Sequence, residues 1–293
     1  MEAVDERDYY RRHSPLTDPG AQRHLLRGLP ADIGALAELI GGVLVHRDQA
    51  WRFGFELPEE RRAEANTRFV EAILGQLGTL DERRPADRFA GTCRDFTVLL
   101  CAMLREAGVP ARARVGFAGY FAGGFFDDHW AVEVWDGDGG WRLVDAQVAS
   151  APKGTYTDAD IDPLDLPRDG FVVAGQAWRE CRAGRRDPDQ FGVHVAGLTG
   201  MWEVQGNVVR DLASLNRVET LPWDDWGLIP IHYDELEPAD VELLDRVAAV
   251  SAAGGPLPQA VVAYGSDPRL AATFPDDQGR HAAGSAARSA CLP

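Results

Sequence analysis

GTCRDFTVLLCAMLREAGVPARARVGFAGYFAGGFFDDHWAVEVWDGDGGWRLVDAQ, residues Gly91 to Gln147, joins an apolar helical period to three β-rich runs. It opens with Cys93 at the head of an apolar-periodic segment (Phe96, Leu99, Leu100, Met103, Leu104) that stops at Gly108 and Pro110. The spacing predicts a helix with the cysteine in its first turn, where the unpaired amides and the helix dipole favour a thiolate. Two β-rich runs follow, Ala111 to Phe121 and His129 to Trp135, then a Gly-rich turn at Asp136 to Gly140 and a third run, Trp141 to Val144. The turn predicts a hairpin, so the start of one strand, marked by His129, meets the end of the next, marked by Asp145. A helix bearing Cys93 can pack against that end of the sheet.

A thiolate, an imidazole that takes and returns its proton, and a carboxylate that holds the imidazole tautomer are the parts of a cysteine catalytic triad. Cys93 at a helix start, His129-Trp130 36 residues on, and Trp141-x-x-x-Asp145 closing a further 16 residues resemble the core of the transglutaminase-like superfamily. The resemblance implies an α+β, papain-like fold, a central helix packed on an antiparallel sheet, with further helices at both ends. It implies Cys93 as nucleophile, His129 as general base and acid, and Asp145 as the group that orients the histidine. Members of the superfamily include protein crosslinkers, peptidases, peptide N-glycanases and amide-forming enzymes of bacterial biosynthesis. Arg94 departs from the tryptophan that follows the cysteine in the animal crosslinking enzymes, and no calcium-loop pattern of oxygen ligands is visible, so crosslinking does not carry over automatically.

Around this core the sequence offers further candidates. Papain relatives use a residue upstream of the cysteine to help its amide bind an oxyanion; Gln49 and Trp51 are the candidates here, with packing or a loop hydrogen bond as the alternative. Thr92 shapes the turn before the helix, Arg94 either pairs with Asp95 or meets an anionic substrate, and Trp130 is a hairpin core residue or a substrate contact. Tyr120 to Asp128, two glycines among four aromatics, reads as a mobile lip before His129 or as a packed connection. Asp127 and Asp128 place negative charge beside that histidine. His24, His46 and Asp48 do not follow a metal-ligand spacing, and neither metal nor cofactor is expected.

The flanks predict mainly helices: Pro19 to Arg27, Ala31 to Val45, Glu59 to Leu80, Gly170 to Arg182, Gly197 to Leu215 and Pro238 to Val250. Ala149 to Pro167, rich in Pro, Asp and Thr, predicts a long connection. The expected organisation is an N-terminal helical part (1–80), the catalytic core (81–150), a connecting loop with a helical subdomain (151–250) and a poorly ordered tail (251–293). Thirty basic against 46 acidic residues, net −16, argue against nucleic acid or an anionic membrane as partner. The chain lacks an apolar span and a leader-like N-terminus, and its four cysteines lack a disulfide pattern, so a cytoplasmic protein with free thiols is expected.

The expected chemistry is acyl transfer or hydrolysis at an amide, peptide or thioester, on a small-molecule, peptide or carrier-bound acyl substrate. An amide-forming acyltransferase with an amine acceptor, or a non-catalytic binding module of the same fold, are the alternatives.

Overall fold

A computed structural model describes residues 5–137 and 140–272. In chain order it contains α1 (Glu6–Arg11), α2 (Ile33–Val43), β1 (Leu44–His46), α3 (Val70–Leu77), β2 (Phe89–Gly91) and α4 (Cys93–Glu106). There follow β3 (Ala111–Ala122), β4 (Phe125–Trp135), β5 (Trp141–Val144), α5 (Ala146–Ala149), β6 (Phe171–Val173) and α6 (Ala174–Arg182). The rest comprises β7 (Phe191–Val193), β8 (Leu198–Thr199), α7 (Met201–Leu215), α8 (Pro238–Ala252) and α9 (Leu257–Gly265). The mixed helical and strand content is that of the α+β class. No described helix is long and apolar enough to cross a membrane.

Among the described residues the chain divides into two compact units, one within residues 5–113 and 130–168, the other within 114–129 and 169–272. The boundary cuts β3 after Ala113 and β4 after His129.

In the first unit, α4 is buried from Cys93 to Arg105 and packs against α1, α2, α3, α5 and β2. A helix with no wet face must satisfy its charged side chains internally. Arg105 does so through the Ala111 carbonyl and Thr17 Oγ1, at 3.0 and 2.7 Å. Gly108, at φ +79°, ends the helix in the left-handed region that glycine adopts without strain. The strands β1 and β2 pair in parallel, with His46 opposite Gly91. β4 and β5 form the expected antiparallel ladder from Val132–Val144 to Trp135–Trp141. Glu133 of β4 bridges Arg112 at 2.8 Å and pairs with Arg168.

In the second unit the strand order is β6-β3-β4-β7-β8, with helices α6 to α9 packed on one another. β6 replaces the first turn of the helix expected from Gly170. Its residues pair with Gly116 to Ala118 of β3, and an ideal Cβ at Gly116 would come within 2.4 Å of the Val172 carbonyl, so the glycine permits the ladder. Arg114 of β3 binds Asp211 of α7 through two bonds of 3.0 and 2.9 Å, and Ser251 of α8 donates to the same carboxylate at 2.6 Å.

Other expectations shift for identifiable reasons. The helix expected over Glu59 to Leu80 is a 3-10 helix over Glu59–Asn66 followed by α3. Between them the Leu16 carbonyl takes the Val70 amide at 2.9 Å and Arg94 takes the Arg68 carbonyl at 2.6 Å, so tertiary bonds replace helical ones. Residues 20–25 are likewise a 3-10 helix rather than an α-helix. The segment 120–128, read as a lip or a connection, is a β-hairpin whose turn is Gly123-Gly124, so His129 lies inside β4 and not at its head. Ala149 to Pro167 is the long connection expected, anchored by Tyr156, whose ring meets Phe53 and Phe96. Within the expected tail, α9 is regular helix; residues 273–293 lie outside the described residues, as do 138 and 139 of the expected hairpin turn.

Candidate active site

Cys93 is the first residue of α4 and 8% exposed. Three local devices hold it there. Arg47 donates its amide to the Gly91 carbonyl at 2.8 Å, extending the β1–β2 pairing to within two residues of the cysteine. Thr92 donates its amide to Asp95 Oδ2 at 2.7 Å, with the hydroxyl adding a 3.2 Å bond, which caps the helix start. Gly91 makes room for that cap, since an ideal Cβ there would stand 2.9 Å from the Asp95 Cβ.

Arg94 is fully buried, ion-paired with Asp95 at 3.1 Å and bonded to the Arg68 carbonyl. Its role here is internal pairing rather than reception of an anion from solvent. Burial pushes the Asp95 carboxyl up, and the Arg94 charge and the Thr92 bonds oppose that. Thr92 is the cap residue the turn required.

Asp145 is also in the first unit. It follows β5 and caps α5, accepting the Val148 amide at 2.9 Å while its own amide donates to the Pro163 carbonyl. It is fully buried. The helix α5 packs on α4, so the carboxylate belongs to an element seated on the helix that begins with Cys93. Two residues on, Gln147 donates from Nε2 to Gln49 Oε1 at 2.9 Å. Gln49 therefore sits in a loop that starts beside Gly91 and ends on the Asp145 segment, with its carbonyl oxygen committed and its amide group oriented by that bond. Gln147 is the residue sequence reasoning missed; its one signal was its place two residues after Asp145.

Trp51, by contrast, is 63% exposed with the Arg52 guanidinium 4.6 Å from its ring centre. Trp130 is a buried core residue whose indole N–H has no partner among the described residues. His46 and Asp48 neighbour each other, but Asp48 is ion-paired with Arg62, and His24 contacts the Ala21 carbonyl through Nδ1. Among the described residues no group of three or more His, Cys, Asp and Glu is gathered to hold a metal ion.

His129 belongs to the second unit, 2% exposed, with the rings of Phe121, Tyr120 and Phe171 at 4.9, 6.2 and 6.3 Å. The aromatics expected in a lip thus include two that wall the histidine. The two residues before it are both tied down: Asp127 accepts the His194 amide at 3.0 Å, and Asp128 accepts from Asn207 Nδ2 at 2.8 Å. Burial pushes both carboxyls up. The negative charge expected beside His129 thus belongs to two carboxyls whose ionisation burial opposes.

Cys93, Cys101 and Cys181 are free thiols, and Cys291 lies outside the described residues. Burial, with Glu180 adding to it, pushes the Cys181 thiol up to about 11. It is a poor thiolate at neutral pH.

With the geometry in hand, comparison with known proteins gives three findings. Residues 67–146 match the model of the transglutaminase-like superfamily, a span that includes Cys93, His129 and Asp145. No curated protein matches the chain. A crystal structure of a protein from Cytophaga hutchinsonii, provisionally named a cysteine protease, is similar at 17% identity and a TM-score of 0.36, over 59% of this chain. The chain spans about half of that protein's length, 47%.

Proposed function

From a transglutaminase-like domain over residues 67–146, an enzyme fold of the cysteine type, we propose that the protein performs acyl chemistry through Cys93, His129 and Asp145. The observation that carries the reading is Cys93 itself: a cysteine at the first position of a capped, buried helix, inside the matched span. A thiolate there adds to the carbonyl carbon of an amide or thioester, and the carbonyl π pair moves to oxygen. The resulting oxyanion is met by the Cys93 amide and, in this proposal, by the amide group of Gln49, which Gln147 orients. As the carbon–nitrogen or carbon–sulfur bond breaks, His129 gives its proton to the leaving group, and a thioester enzyme remains. Water or an amine then attacks, His129 takes the proton back, and the thiolate is released. Asp145 holds the imidazole tautomer.

Hydrolysis ranks ahead of transfer because a net charge of −16 does not suit an acidic carrier protein as acyl donor. Incubation with short peptide amides and acyl thioesters, followed by intact-protein mass spectrometry and by product mass with and without a primary amine, tests the proposal. The expected result is an acyl adduct on Cys93 that Cys93→Ser abolishes, with turnover falling at least ~100-fold in His129→Ala. A carboxylic acid as product in the presence of amine supports hydrolysis; an amide product supports the transferase. A full panel without adduct or turnover would leave the fold as a binding module.

A further inference from the structure

Helix α7 carries a buried carboxyl group that the proposed reaction does not use. Glu203, in its first turn, is 8% exposed, and no hydrogen bond or ion pair joins its carboxylate to another described residue. One turn on, Asn207 donates from Nδ2 to Asp128 Oδ1, the residue immediately before His129 on β4. Arg210 adds a third member. It donates from Nη1 to Asn207 Oδ1 at 3.3 Å and from Nη2 to the Asp224 carbonyl at 3.2 Å and Asp225 Oδ1 at 3.5 Å. Its guanidinium folds back over Gly206, where an ideal Cβ would come within 2.7 Å of Nη1. So α7 grips β4 beside the histidine through a relay of Arg210, Asn207 and Asp128.

The charges around this relay are coupled. Glu203 faces Asp128 from β4, Arg210 from its own helix and Asp225 from the turn after Pro222. Asp128 faces Arg210, His129 and Asp127, and Asp127 faces His194 and His129. Burial pushes the Glu203 carboxyl up to about 7, and the Asp128 charge adds to it. Two carboxyls that repel in a buried setting lose their protons in steps that belong to the pair.

We propose that Glu203, by its charge on Asp128, which Asn207 holds beside the histidine, sets the basicity of His129 and is thus a positioning residue for the proposed site. As the carboxyl pair gives up its last proton, a second negative charge forms near the imidazole and favours its protonated form. The catalytic meaning rests on His129 being the base; the linkage itself is a property of this unit.

The test is an NMR titration of ring-labelled histidine in the full chain carrying Cys93→Ser, with the His129 signal identified by its loss in His129→Gln. Because the Cys93 thiol is absent and the readout is the imidazole alone, a wrong assignment of the nucleophile cannot imitate a failure here. The expected curve for His129 is broad and two-stepped. Glu203→Gln should lower its midpoint by about half a pH unit and leave one step, while Glu242→Gln, exposed on α8, leaves the curve as it was. An unmoved curve in Glu203→Gln, or an equal shift in Glu242→Gln, overturns the proposal. Should Glu203→Gln fail to fold, the protein with Glu203 intact decides: shared midpoints for the Glu203 carboxyl and the His129 ring support the linkage, and independent midpoints refute it.

Discussion

Glu203 ties charge to stability as well as to the histidine. An acid whose folded-state value is raised is penalised for ionising in the fold, so its contribution is intact below its unfolded value, near 4.5. It is lost as pH rises to about 7. The size of that loss is on the order of 3 kcal/mol. Glu203→Gln should therefore gain on the parent protein between pH 5 and 8 in thermal melts; a difference in Tm that stays constant with pH would contradict the assignment. Residue by residue, legibility followed chemistry. Cys93, His129 and Asp145 could be singled out because order, spacing and element type agreed. Glu203 and Gln147 could not, because their importance comes from burial and from partners 75 and 98 positions away in sequence, Asp128 and Gln49. Arg94 shows the converse: a charge open to a surface reading is fully buried, paired with its sequence neighbour Asp95 and with the Arg68 carbonyl, which only the fold brings to it.

At the level of elements, α4 is held by its own first turn. Asp95 binds the Thr92 amide and balances Arg94, and both charges are fully buried. Asp95→Ala removes the cap and leaves a buried guanidinium without its counter-charge, a loss of roughly 3–5 kcal/mol. Thr92→Ala should cost about 1 kcal/mol. Urea melts of both variants check the ranking; equal costs would mean that the buried pair adds nothing beyond the cap. The same helix was readable from sequence at both ends, through its apolar period and the Gly108 stop. The span from Glu59 to Leu80 was not, because Leu16 and Arg94 claim backbone groups at Val70 and Arg68 that a continuous helix would have used. Short strands such as β6 and β7 escaped for a related reason. Three residues carry no period, and what makes them strands is their partner, Gly116 to Ala118 for β6 and Phe126 to Asp127 for β7.

For the whole molecule, the sequence conveyed an α+β protein with a helix-led core, and did not show that the chain passes three times between two units. Two of the crossings fall inside β3 and β4, where local pattern is continuous and nothing marks a boundary, and the third falls between Arg168 and Asp169. As a result Cys93 and Asp145 belong to one unit and His129 to the other, and the proposed chemistry requires them to act together. The most direct test is the pH dependence of iodoacetamide alkylation at each cysteine, read by peptide mass spectrometry on the parent protein and on His129→Ala. The account predicts that Cys93 reacts fastest at neutral pH, well ahead of Cys181, and loses that lead without His129. Reaction at Cys93 no faster than at Cys181, or a lead that survives His129→Ala, would contradict it.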